Sequence, residues 1–344
     1  MTTPSKLRIA VVNPLSITGK EIRSLLRERH FPIGSMALLD TPERNAGAIT
    51  EEAGEAAYVV ELAADSLDGL DVLFLCDTGA ETAELAKRAV KNGTAVIEIP
   101  PAGDSRSGGK WIVSGLNDSS LAPADRHAAV PRASALLLSR LIAPLRTVAK
   151  IRRLTITVIE PASTRGDAGV EEMLGQAVAL LNFNPLPKNV FGRQMVFNVF
   201  PAPAHDGAAI VEEIAEIFGE PVNMAVSVLR GPSFHGHGFT VLAEMGGDPP
   251  PDATAIEAAF EATPELEVDR FEMIPGTVEA SGTDVVRLAP PRAEPSIPGA
   301  FWLWMVVDHL RAGTALNAVR IAEKMAGAGP PAGTGPKRTR RGRT

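Results

Sequence analysis

Thiols are almost absent: Cys76 is the single cysteine in 344 residues. One thiol excludes an intramolecular disulfide framework and any zinc site built mainly from thiolates, and such a composition fits a reducing compartment. No metal is expected. Long apolar runs are absent too. No stretch approaches the roughly 18 uninterrupted apolar residues of a membrane span, and the opening MTTPSKLRIAVV holds only a short strand-like run where a secretory signal needs an apolar core. No membrane association is expected, and the cytoplasm is the default location. The third absence is an excess of positive charge: 34 Lys and Arg against 41 Asp and Glu give a net charge of -7. Nucleic acid is therefore not an expected partner.

What is present suits a globular protein. With 45% hydrophobic residues in 344, the chain can bury substantial cores, and two domains are the natural expectation. Residues 7–12 form an apolar, β-branched run, followed by the turn-like NPLS at 13–16 and an amphipathic stretch over 18–29, which reads as strand, turn, helix. Further strand-like runs lie at 35–39, 58–62, 71–76 and 94–99, with a helix over 81–92 that ends at Gly93. Alternating strands and helices imply a mostly parallel sheet covered on both faces.

After about residue 132 the pattern changes. A helix-like ALLLSRLIAPL is followed by a long strand over 151–160, a helix over 168–182, an irregular stretch over 183–206 and a helix over 211–218. Strands are expected at 224–230, 238–245, 283–288 and 301–307, a composition that suggests an α+β second domain, and residues 312–326 read as a final helix. The expected division is a Rossmann-type domain over 1–131, an α+β domain over 132–311, the helix over 312–326, and a disordered tail over 327–344. Lys337, Arg338, Arg340, Arg341 and Arg343 lie in that tail; without them the body would carry -7 - 5 = -12. A solvated terminus is its simplest reading, because nothing aromatic is interleaved to stack on bases.

The segment FWLWMVVDHLRAGTALNAVRIAE, from Phe301 to Glu323, closely resembles the aspartate-semialdehyde dehydrogenase pattern W-x-V-x-D-N-L-R-K-G-A-A-x-N-A-V-Q-I-A-E. G-x-x-G-V-E-E at Gly166 to Glu172 and R-x-P-x-F-x-G-H at Arg230 to His237 agree with the same family in the same order. FGRQMVFNVFP, from Phe191 to Pro201, is more similar to the family's Usg-type paralogues, which also depart at the nucleophile. The resemblance implies a Rossmann domain, an α+β domain bearing the catalytic residues and the dimer interface, and a C-terminal helix that returns to the first domain.

It also implies a reaction in which a cysteine thiolate attacks an aldehyde, hydride leaves for NADP, and phosphate releases the acyl group. Such chemistry needs a thiolate beside a histidine base. The family's N-P-N-C-S/T falls on Val130-Pro-Arg-Ala-Ser134, which puts Ala133 at the nucleophile's position. Ser134, one residue on, would be turned by about 100° around a helix and is not expected to substitute. Cys76 reads as a buried small hydrophobe. His237 takes the position of the base and Arg230 that of the arginine for the substrate carboxylate. Their odd separation requires a turn between them, which Gly231-Pro232 and Gly236 supply. Glu160 replaces a glutamine and loses a donor. Asp104 replaces a phosphate-binding arginine, and Ala215 a lysine, while Glu212 remains.

For the cofactor, NADP or NAD held weakly, the family loop G-x-T-G-x-V-G falls on Asn13 to Gly19 and keeps only Gly19. Asn13, Ser16, Ile17 and Thr18 complete the loop, Arg44 in ERNAG matches an arginine near the 2′-phosphate, and Asn317 joins this set. A Rossmann fold that binds no nucleotide is an equal alternative. The expectation is a family member inactive as a phosphorylating dehydrogenase, forming a homodimer and taking a small anionic ligand. The alternatives are an oxidoreductase of altered chemistry using Glu160, Glu212, Arg230 and His237, or a residual semialdehyde dehydrogenase.

Overall fold

The structure, a computed structural model, describes residues 6–63, 65–76, 80–100, 106–270 and 274–327. Asp104 and the basic tail residues lie outside the described residues. The first sheet combines β1 (Leu7–Val12), β2 (Ile33–Asp40), β3 (Ile49–Glu52), β4 (Glu55–Glu61), β5 (Val72–Leu75), β6 (Ala95–Glu98), β7 (Lys110–Trp111) and β8 (His127–Ala129). Its order is β3-β4-β2-β1-β5-β6-β8-β7, parallel except for the β3–β4 pair.

The apolar runs of β1 and β5 follow from burial on both faces. Ile9, Val11, Val72 and Phe74 enter one core, while Ala10, Val12, Leu73 and Leu75 enter the other. Alternate side chains point to opposite faces, so a strand with two covered faces must be apolar throughout. Helix α1 (Ile17–Glu28) begins one residue earlier than its periodicity suggests, because Ser16 caps it by accepting from the Gly19 amide at 3.0 Å. Its Ile22, Leu25 and Leu26 bury the inner stripe. Helix α2 is Ala80–Lys91.

Helix α3 (Ala133–Val148) leads into the second sheet, in the order β10 (Phe200–Pro201), β11 (Met224–Arg230), β9 (Ile151–Glu160), β12 (His237–Met245), β16 (Ala300–Val307), β14 (Val286–Leu288), β13 (Leu266–Val268). The short β15 (Arg292–Ala293) pairs with β16. Helices α4 (Gly166–Leu181), α5 (Ala204–Phe218), α6 (Ala253–Glu261) and α7 (Thr277–Ala280) fill the connections. The apolar side of β9, Leu154, Ile156 and Val158, belongs to the chain's own core with residues of α3 and α5, while Arg153, Thr155, Ala225 and Ser227 face outward. On the other side of the sheet Ile159, Leu229, Leu242 and Trp302 stay half-buried.

A π-helical turn, His309–Ala315, and helix α8 (Leu316–Met325) carry the chain back to the first sheet. Arg29 and Glu323 close that return with two hydrogen bonds of 2.8 Å each, both side chains buried.

Candidate functional site

A cavity of about 840 Å³ opens where the carboxyl ends of β1 and β5 meet the start of α3 and the ends of β9 and β11. Crevices at the carboxyl ends of parallel strands, where the strand order reverses direction, are the usual ligand positions of doubly wound sheets. Here the second sheet closes the inner wall.

That inner wall follows from strand register. Arg230 ends β11 directly opposite Glu160 at the end of β9, and His237 opens β12, antiparallel to β9. The turn between Arg230 and His237 holds Gly236 at φ 85°, where a Cβ would come within 2.6 Å of the Thr277 carbonyl. Ser134, in the first turn of α3, donates to Glu160 Oε1 at 3.0 Å, and its Oγ lies 3.5 Å from His237 Nε2. Arg230 donates through Nη1 to Glu160 Oε2 at 2.7 Å and to Thr164 Oγ1 at 3.1 Å, and through Nη2 to Asp206 Oδ2 at 2.9 Å. One guanidinium thus holds two buried carboxylates. At the lip of α3, Arg132 gives its backbone N–H (3.0 Å) and its Nε (2.7 Å) to Glu213.

Burial pushes the carboxyl of Glu160 up, against the opposing pull of Arg230 and Ser134. His237 is held well below its ordinary 6.5, mainly by burial, with His309 and Arg230 adding to the effect. The ring of His309 lies 4.5 Å away, tilted by 59°, and burial brings it down to about 4. Two neutral imidazoles, a hydroxyl and a carboxyl of raised affinity for protons therefore share one wall. The arrangement can exchange a proton with a bound ligand, but its positive charge is already neutralised.

A pH dependence follows. Below pH 6.5 the unfolded chain protonates His309 while the fold resists, so the stability from neutral His309 is present above 6.5 and lost as pH falls towards about 4. Glu160 and Glu213, pushed up by burial, act in the opposite sense, since the fold takes up their protons more readily. Replacing His309 by Phe should flatten the loss of urea-unfolding free energy between pH 6.5 and 4.5, the difference from wild type growing towards about 3 kcal/mol. An unchanged slope would refute neutral burial of this ring.

The outer wall is built on the β1–α1 loop. Asn13 adopts φ 56°, the left-handed conformation a glycine would take without strain. Ser16 donates to the Asn13 carbonyl at 2.8 Å while it caps Gly19. A Cβ on Gly19 would lie 2.4 Å from the Asn13 carbonyl, so this glycine lets the helix approach the loop. The Ile17 amide, the first of α1, donates 3.0 Å to Asp167 Oδ2, a side chain of α4. At the end of β2, fully buried Asp40 accepts from Arg44 Nε at 2.9 Å and Asn45 Nδ2 at 3.0 Å.

Two family models match the chain: "Semialdehyde dehydrogenase, NAD binding domain" over residues 8–119 and "Semialdehyde dehydrogenase, dimerisation domain" over 142–312. The chain belongs to the aspartate-semialdehyde dehydrogenase family. A "USG-1 protein homolog" from Azotobacter vinelandii is 29% identical over 329 residues, covering 92% of this chain and 96% of that one. An "Aspartate-semialdehyde dehydrogenase" from a Synechocystis strain is 25% identical over 330 residues, covering 93% and 97%. Among solved structures, aspartate semialdehyde dehydrogenase II from Vibrio cholerae, complexed with ASA, superposes with a TM-score of 0.85 at 27% identity, covering 93% of this chain and 98% of that one. The expected α/β Rossmann-type domain followed by a dimerisation domain with mixed sheet agrees with these relatives.

The structure brings Ala133, Glu160, Arg230 and His237 together in the cavity, and Asn13, Ser16, Ile17, Thr18 and Arg44 along its other side. It corrects two expectations. Glu212 points to solvent; the inward residue is the next one, Glu213, because the buried stripe of α5 runs through Ile210, Glu213, Ile214 and Ile217. Asn317 is fully buried and does not line the cavity: it donates to the Ile112 carbonyl and accepts from the Ser114 amide, each at 2.8 Å, and so pins α8 to the first domain. Ser134, not expected to replace the nucleophile, is turned towards Glu160 and His237. Cys76 is buried at the end of β5, as expected, and also borders the cavity.

Sequence reasoning missed Asp167, Asp206 and His309. His309 was visible as a departure, standing where the family pattern D-N-L-R carries Asn. Asp206 opens a helix whose first turn lay inside a stretch read as irregular. Nothing in the local pattern marks Asp167 as the partner of an amide 150 residues away.

The family's first domain is of the NAD-binding kind, but the groups present do not fit a dinucleotide's phosphates as they stand. The helix amide that would meet a phosphate is held by Asp167, the Gly19 amide by Ser16, and the β2 carboxylate that would meet a ribose hydroxyl is enclosed by Arg44 and Asn45.

Proposed function

We propose that this protein is a homodimeric member of the aspartate-semialdehyde dehydrogenase family that does not perform phosphorylating semialdehyde oxidation and uses its cleft to bind a small polar ligand. One observation carries the reading. The residue that opens α3 at the cavity, in the position the family motif gives to its nucleophile, is Ala133, and the only thiol of the sequence, Cys76, is buried at the end of β5. A methyl group has no electron pair with which to form an acyl-enzyme. The Usg-like segment at 191–201 and the likeness to the Azotobacter USG-1 homolog support a place beside that branch.

The saturation of Arg230 points the same way. An acidic ligand such as the ASA of the Vibrio structure would have to displace Glu160 or Asp206 from Arg230, so the cleft suits a ligand that hydrogen-bonds without bringing a carboxylate of its own. Cytoplasmic residence is part of this reading and is supported by the scarcity of thiols. Assay of NADP reduction with aspartate semialdehyde and phosphate tests the central claim.

Dimerisation rests on the dimerisation-domain match and on apolar side chains left uncovered by the subunit. Leu174, Val178 and Leu181 follow helical spacing along α4, and Phe183, Phe197 and Val199 are also exposed. Light scattering at micromolar concentration should give twice the chain mass of 36.2 kDa, and a species of single mass would refute the dimer. Val178→Asp together with Leu181→Asp should weaken it, since a charge on each of two adjacent turns opposes burial of the patch.

A further inference from the structure

Helix α1 presents the anion-binding end of a Rossmann domain, where the first amides have no partner within the helix and the helix dipole favours negative charge. In this chain the negative charge is already there. Asp167 Oδ2 accepts from the Ile17 amide at 3.0 Å, across the cleft and from the other domain. We infer that Asp167 is a latch that takes the place of a dinucleotide's phosphate at the start of α1 and excludes NAD and NADP from the cleft.

The carboxylate is placed by a stiff segment. The 3-10 turn Ala162–Arg165 is fastened by the Ala162 amide to the Ser233 carbonyl (2.9 Å) and the Ser163 amide to the Phe234 carbonyl (3.1 Å). Thr164 Oγ donates to the Pro161 carbonyl at 2.8 Å and accepts from Arg230 Nη1 at 3.1 Å. Gly166, at φ 64°, bends the chain from that turn into α4, and a Cβ on Gly169 would come within 2.2 Å of the Ala162 carbonyl. Asp167 follows immediately and borders the cavity beside Ile17. An aspartate in the first turn of α4 also favours its own helix, but that role requires no contact with α1.

The rest of the loop adds to the exclusion. Ser16 holds the Gly19 amide, and buried Arg23 donates to the Pro14 carbonyl at 3.2 Å and pairs with Glu52 at 2.6 Å, which fixes the loop from behind. An entering phosphate would have to displace a carboxylate from a position built around it, or meet that carboxylate as a like charge. The inference concerns the same cleft as the proposed function but is independent of the missing nucleophile.

Isothermal calorimetry on the full chain tests it with NADP and NAD as probes. Wild type is expected to give no binding heat up to about 1 mM nucleotide. Asp167→Ala should bind NADP at least about tenfold more tightly than wild type. Asp167→Asn, which keeps an acceptor for the Ile17 amide but removes the charge, should gain less. Far-ultraviolet circular dichroism checks that each variant is folded; if the alanine variant is not, the asparagine variant decides, a gain supporting the latch and no gain overturning it. Micromolar binding by wild type, or an Asp167→Ala that binds no more tightly than wild type, would overturn it as well. NADP binding by wild type without turnover would overturn the latch and leave the lost nucleophile standing, whereas turnover by wild type would overturn both.

Discussion

Given aspartate semialdehyde, NADP and phosphate, the protein is expected to reduce NADP at least about 10³-fold more slowly than an ordinary enzyme turning over roughly 10 times per second. The barrier-lowering step of the family chemistry is formation of an acyl-enzyme, and Ala133 cannot form one. Ala133→Cys alone should give little rescue. The new thiol would sit at the start of α3, with the helix dipole to favour its thiolate, but the substrate's carboxylate would find Arg230 already bound by Glu160 at 2.7 Å and Asp206 at 2.9 Å. The triple variant Ala133→Cys, Glu160→Gln and Asp167→Ala should be the first to show measurable turnover, because it restores a nucleophile, releases one arm of the guanidinium and opens the start of α1 to NADP. Absorbance at the nicotinamide band reads all three proteins. A wild-type rate within an order of magnitude of 10 per second would sink the proposed function, and full rescue by cysteine alone would show that the saturation of Arg230 is unimportant.

The second large effect is on stability. Arg230→Ala removes the one guanidinium that faces both Glu160 and Asp206, all three side chains being buried. Leaving buried charges without their partner costs about 3–5 kcal/mol, read as a lower urea midpoint at unchanged slope. Adding Glu160→Gln to the Arg230→Ala background should recover part of that loss, since one of the two stranded charges becomes a neutral amide. A loss below about 1 kcal/mol, the range of a solvent-screened surface pair, would mean that these carboxylates are not carried as charges in the fold.

How much of this was legible in the sequence follows from the range over which each feature acts. β1 and β5 could be read from their apolar runs because burial on both faces acts residue by residue. The turn demanded by the spacing of Arg230 and His237 was legible because strand alternation is local, and Gly236 performs it. The start of α5 is not legible: Ala204, His205 and Asp206 lie beyond the apolar periodicity that begins near Ile210, so the sequence of that first turn reads as irregular. Helix α6 passed unnoticed between Pro-rich and acidic segments. At the site, residues that follow a family spacing could be placed, whereas the direction of Ser134 and the inward turn of Glu213 depend on how α3 and α5 are rotated against β9 and β11. That rotation is set by the packing of many side chains and not by any short pattern. The contact of Asp167 with Ile17 is further still from local reading, since it joins residues 150 apart.

The return of α8 to the first domain also orders events during synthesis. Arg29 and Glu323, joined by two hydrogen bonds, are 294 residues apart, so the first sheet leaves the ribosome long before the helix that packs over β6 and α1 has been made. Buried α8 residues such as Val319, Ile321 and Ala322 pack in the same core as Ile22 and Leu25 of α1, and until they arrive that core is incomplete. Contacts of such high sequence separation form late and slowly. The nascent first domain must wait, with apolar surface exposed to chaperones or to other nascent chains, for nearly the last residue of the folded body to emerge.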